Sequence, residues 1–81
     1  MEDNQLLRRI VVDPKVMVGK PVIKGTRLTV EFVLNQMAHG RTIDGIIAEY
    51  QRLTCEDIQA CFLFAGKSLE STSFMPLAEA L

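Results

Sequence analysis

Eighty-one residues with ten acidic and nine basic side chains, 48% apolar and 23% charged, make one small domain with a packable core and a net charge of −1. No apolar run approaches the roughly 20 residues of a bilayer span. MEDNQLLRRI is acidic before it is basic and lacks the apolar stretch and cleavage site of a signal peptide, so the expected location is the cytoplasm, with no membrane partner.

The chain opens in strand-like form. RRIVVDP is a short β-branched run stopped by Asp13-Pro14, and PVI and TRLT flank Lys24-Gly25, so the first third reads as short strands joined by turns. The run VGKPVIKGTRLTVEF has the glycines, cations and threonine of a phosphate-cradling loop. Gly19 and Gly25 stand six apart and the lysines precede the second glycine, which is not the spacing of a P-loop. Gly25 is expected to hold a positive φ in a hairpin turn, and Pro21 to sit on a strand edge where its missing N–H costs nothing. The alternative is a weak anion site at Lys24, Thr26 and Arg27.

From residue 30 the apolar period changes from strand to helix. Val30, Val33, Leu34 and Met37 fall at i, i+3, i+4 and i+7, behind Thr29 as N-cap and ahead of a left-handed cap at Gly40. Ile43, Ile46, Ile47 and Tyr50 repeat the spacing behind Thr42, and Ile58, Cys61, Phe62 and Ala65 repeat it behind Thr54. Thr54-Cys55-Glu56-Asp57 is a capping box with aspartate in the usual glutamate place, and Gly66 is expected to stop this third helix. Leu53 points inward as the anchor of the short turn before it. The short connections imply a mainly α fold: N-terminal β-strands or a hairpin, then a trihelical helix-turn-helix-like, homeodomain-like bundle, over residues 1–67. Residues 68–81 differ in kind: serines, a threonine and Pro76 break structure, while Phe74, Met75, Leu77 and Leu81 stay apolar. They are expected to form a partner-binding tail.

Chemistry-bearing residues are sparse. Cys55 and Cys61 form no CxxC pair and the single histidine, His39, lies far from them, so neither a metal site nor a cofactor is expected. Six positions on a helix is about 600°, which puts the two sulfurs on different faces and argues against a disulfide. His39 beside Gly40 reads as a helix-end residue, no serine or cysteine has an implied base, and an enzyme is not expected. Charge is polarised instead. Arg8, Arg9, Lys15, Lys20, Lys24 and Arg27 face Asp13 alone, whereas from residue 30 three cations face seven acids.

VVDPKVMVGKPVIKGTRLTVEFVLNQMAHGRTIDGIIAEYQRLTCEDIQACFLFA, spanning about residues 10 to 66, resembles the family catalogued as domain of unknown function 433. The resemblance rests on Gly19-Lys20-Pro21, Gly25-Thr26-Arg27, Leu53-Thr54 and Asp57-Ile58-Gln59-Ala60, set in the family's G-K-P-x-I-x-G-T-R-[IL], e-Y-P-x-L-T and e-D-I-x-A segments. Gln51 departs from it, standing where the family usually has proline. The resemblance implies a helix-turn-helix-like fold and an antitoxin of the VapB type, from a type II toxin-antitoxin pair, commonly beside a PIN-like ribonuclease toxin.

The residues weigh differently on DNA. The turn that would enter a major groove offers Glu56 and Asp57 against phosphates, with Gln59 alone able to read adenine. The candidate DNA contacts are therefore Arg8, Arg9, Lys20, Lys24, Arg27 and Gln59, and the candidate partner contacts are Phe74, Met75, Leu77 and Leu81. Two functions follow: an antitoxin that binds a cognate toxin and regulates its operon through operator DNA, or a stand-alone helix-turn-helix transcriptional regulator. A core this small also leads us to expect a homodimer or hetero-oligomer.

Overall fold

Gly25, at φ +83°, turns the chain between two segments that bond each other. The Ile23 amide donates to the Leu28 carbonyl at 2.9 Å, and Thr26 closes the turn, its hydroxyl donating to the Ile23 carbonyl at 2.8 Å and accepting from the Leu28 amide at 3.0 Å. The computed structural model, which describes residues 2–70, places strand β1 (Ile10–Val11) antiparallel to β2 (Val22–Ile23), with Ile10 opposite Ile23 and Val11 opposite Val22. The expected TRLT strand is reduced to one bridge, Val22 to Thr29. Thr29 is needed as a helix cap, and the backbone leaves the sheet there.

Two features of the first third have no sequence signal. Asp3–Leu7 forms a short helix, α1, packed on the last helix of the fold. Five residues cannot hold a helix alone in water, so α1 exists by that tertiary contact. Between the strands, Asp13 makes a turn by accepting from the Lys15 amide, and a 3-10 segment at Met17–Gly19 follows, with Met17 at φ +50° and Val18 at φ +57°. A β-branched residue in the left-handed region is strained, and Val18 is 93% exposed there.

Three helices follow as the apolar spacing requires. In α2 (Val30–Ala38) the Thr29 hydroxyl accepts from the Phe32 amide at 2.9 Å, and the chain turns away through Gly40 at φ +92°. In α3 (Ile43–Glu49) Thr42 does the same for Gly45 at 3.0 Å. Arg41 ties these two helices together, donating to Gln36 Oε1, to the Gly45 carbonyl and to Glu49 Oε1, the last at 2.6 Å. The capping box of α4 (Cys55–Glu70) is reciprocal: the Thr54 amide donates to Asp57 Oδ2 at 3.0 Å and the Asp57 amide to Thr54 Oγ1 at 3.2 Å.

Ile23, Val30, Val33, Ile46, Leu53, Ile58 and Cys61 form the buried core, and Leu53 is the inward anchor of the turn before α4. Two expectations for α4 are corrected. Gly66 does not stop the helix, which runs on to Glu70; interior glycine costs only about 1 kcal/mol, and Ser68 bonding back to the Phe64 carbonyl and the Lys67–Glu70 pair continue it. Phe62 does not join the core but is 47% exposed, while Ala60 is fully buried. α1 and β1 also pack on α4, so its buried face is turned from the one that the apolar spacing alone implies.

Candidate functional site

Arg9 leaves the start of β1 and reaches α4, where its guanidinium meets Asp57 Oδ1 at 3.1 Å. Asp57 is buried, and its second oxygen is held by the Thr54 amide, so this carboxylate serves as cap and ion-pair partner and is not offered to solvent. The acidic start of the third predicted helix is thereby reduced to the half-buried Glu56. Lys20 meets Glu31 at 3.0 Å, both side chains exposed. Of the six candidate DNA contacts, Arg9 and Lys20 are thus committed to acids, and Arg8, Lys24, Arg27 and Gln59 stand exposed.

The strand turn and the turn before α4 meet. The Lys24 amide donates to the Arg9 carbonyl at 2.7 Å, which sets Lys24 beside Arg9, and Arg52 Nη1 donates to the Gly25 carbonyl at 3.3 Å. A groove of about 230 Å3 opens between these turns, lined by Thr26, Arg27, Leu28, Tyr50, Gln51 and Arg52. Among the described residues no acid lies within 4 Å of the charged groups of Lys24, Arg27 or Arg52. Sequence reasoning missed Arg52, because 27 positions separate it from Gly25; the only signal was a cation in the turn that precedes the expected recognition helix. Tyr50 packs edge-on against Phe32, ring centroids 5.6 Å apart. Desolvation pushes its hydroxyl above the ordinary range, helped by Glu49, while the hydrogen bond from Arg41 holds Glu49 below the usual carboxylate range.

α4 carries the second candidate surface. Cys55, Gln59, Phe62, Gly66 and Leu69 follow one another at spacings of four and three, and all are exposed, Phe62 at 47% and Leu69 at 68%. The row borders the face that carries the core residues Ile58 and Cys61, yet stays exposed. The expected tail contacts Phe74, Met75, Leu77 and Leu81 lie outside the described residues. Cys55 is exposed and Cys61 buried, both free, and burial with the nearby Asp57 pushes the Cys61 thiol up to about 12. His39 Nδ1 lies 2.8 Å from the Asn35 carbonyl at the end of α2. Among the described residues no three metal-ligating side chains gather, and no helix is long and apolar enough to cross a membrane.

Fold and surfaces together define a small, mainly helical domain with an N-terminal two-strand hairpin. Residues 10–65 match the family described as "Protein of unknown function (DUF433)", and the chain belongs to that family. It is similar to the crystal structure of a DUF433 member protein from Anabaena variabilis, with 27% sequence identity and a TM-score of 0.74, over 83% of this chain and 66% of that one. The chain thus spans just under two thirds of that protein's length. An uncharacterized protein of Archaeoglobus fulgidus is 72% identical over 25 residues, which are 31% of this chain and 69% of that protein.

Proposed function

We propose that the chain is an antitoxin of a type II toxin-antitoxin system, which binds and neutralises a cognate PIN-like ribonuclease toxin and regulates its own operon. The observation that carries the reading is the exposed apolar row on α4. Phe62 and Leu69 lie seven residues apart on one helical face that is exposed among the described residues, and the sequence beyond adds four more large apolar residues. A helix face of this kind, with anchors at i and i+7, is suited to a groove on a partner protein. Co-expression with the protein encoded beside it tests the reading: the wild-type chain relieves that protein's growth arrest, and Phe62→Glu with Leu69→Glu does not, although both chains melt alike. Equal rescue by the double variant overturns the assignment of this face.

A stand-alone DNA-binding regulator is the second reading. It is favoured by the Arg9–Asp57 pair, which removes one of two carboxylates from the end of α4 that would enter a major groove. Duplex binding that is steep in salt and needs no partner protein supports it, whereas binding only in the presence of the toxin favours the first.

A further inference from the structure

The groove between the strand turn and the turn before α4 is lined by two arginines, Arg27 and Arg52, that have no acid within 4 Å among the described residues. Four cations are paired, Arg9 with Asp57, Lys20 with Glu31, Arg41 with Glu49 and Lys67 with Glu70, whereas Arg8 and Lys15, outside the groove, have no acid within 4 Å among the described residues. Arg27 and Arg52 line one groove from opposite turns, and Lys24 stands exposed three residues before Arg27. Like charges lining one groove repel, and among the described residues no acid within 4 Å offsets that cost. The Thr26 hydroxyl is already engaged at both of its hydrogen-bonding roles within the turn, so the arginines, with the Gln51 amide between them in the lining, are left as donors in the groove. Arg52 spends one N–H on the Gly25 carbonyl, which fixes its direction, and retains the other donors of its planar fork.

Position decides which anion fits. The groove flanks the N-terminal end of α4, the end that a helix-turn-helix unit directs into a major groove, and sugar-phosphate backbone borders that groove. We propose that Arg27 and Arg52 hold backbone phosphates of duplex DNA in this groove, with Lys24 as a further point charge at its rim. The proposal deepens the DNA-binding arm of the function above and is independent of toxin binding. Phosphate contacts of this kind position a protein without reading sequence.

The test measures binding of the full-length chain to a mixed-sequence duplex of about 20 base pairs by fluorescence anisotropy, at salt concentrations from about 50 to 200 mM. Removing both arginines, Arg27→Ala with Arg52→Ala, is expected to flatten the plot of log affinity against log salt by about 2 units, near 0.9 for each lost phosphate contact. Arg27→Lys with Arg52→Lys keeps the charge and the slope, and Lys15→Ala, an exposed cation outside the groove, leaves the slope unchanged. An unchanged slope in the folded double alanine variant overturns the proposal, as does failure of the wild type to bind duplex at the lowest salt. So does loss of toxin inhibition by the alanine variant with duplex binding intact, which would assign the groove to an acidic protein surface. Toxin titration with the Phe62 and Leu69 variants tests the antitoxin reading separately.

Discussion

Asp57 performs two tasks, and its replacement by alanine removes both. Its Oδ2 caps α4 through the Thr54 amide and its Oδ1 holds Arg9, so the substitution loses a reciprocal cap and the ion pair that ties β1 to α4. A lost cap of this kind costs about 1 kcal/mol. The pair lies between two limits, roughly 0 to 1 kcal/mol for an exposed pair and 3 to 5 for breaking a buried one. The side chain of Asp57 is 10% exposed and that of Arg9 33%, so a stranded Arg9 recovers water and the cost stays near the lower limit, about 1 to 2 kcal/mol. The expected total is about 2 to 3 kcal/mol, which for a domain of this size lowers the melting midpoint by roughly 10 to 20 °C. Asp57→Asn separates the tasks: it keeps an acceptor for the cap and loses the charge, and is expected to cost about half as much. Thermal unfolding followed by circular dichroism, on Asp57→Asn, Arg9→Ala and the double variant, gives the coupling between them. An Asp57→Ala midpoint within error of wild type, or a coupling below about 0.3 kcal/mol, refutes the reasoning.

Other expectations follow from single features. Gly25→Val places a β-branched side chain at φ +83° and is expected to cost at least about 1 to 2 kcal/mol of stability; an unchanged unfolding midpoint contradicts the turn assignment. The Cys61 thiol, raised to about 12 in the folded chain from an ordinary value near 9, stabilises the fold fully below pH 9 and progressively less as pH rises from 9 toward 12. Cys61→Ala is therefore expected to remove part of the alkaline fall in stability, and a thiol reagent at pH 8 should modify Cys55 rapidly and Cys61 only on unfolding; equal rates would show Cys61 to be accessible. Glu56→Gln is expected to leave duplex affinity equal or higher, since it removes a carboxylate from the start of α4, and its loss would mean that Glu56 itself contacts DNA. Truncation after Glu70 is expected to leave the melting midpoint unchanged and to weaken the proposed complex with a toxin at least tenfold, because Phe74, Met75, Leu77 and Leu81 are its expected anchors; a large fall in midpoint with affinity intact assigns the segment to the domain's own core.

What could be read from the chain was local. Thr29, Thr42 and Thr54 cap helices because a short hydroxyl reaches an amide two or three residues ahead, and Gly25 and Gly40 hold positive φ because a turn or a helix end demands it there. What escaped was tertiary. α1 has too few residues to signal itself, yet its packing on α4 helps set which face of α4 is buried, and so Phe62 was misplaced. Gly66 carries the signal of a stop but lies inside a helix that continues to Glu70. The left-handed Met17 and Val18 use residue types that avoid that conformation, so no pattern could announce them. The candidate surfaces divide in the same way: an excess of cations in the first third is visible in composition, but that Arg9 and Lys20 are paired while Arg52 joins Arg27 depends on contacts between distant residues.

Titration of the proposed partner, a PIN-like ribonuclease sought among the proteins encoded beside this chain, tests the central claim most directly. With a fluorogenic RNA substrate, the wild-type chain is expected to abolish cleavage at a fixed stoichiometric ratio, and Phe62→Glu with Leu69→Glu to require at least a hundredfold more protein, without a change in its own melting. Undiminished cleavage at a large excess of folded wild-type chain would contradict the antitoxin account.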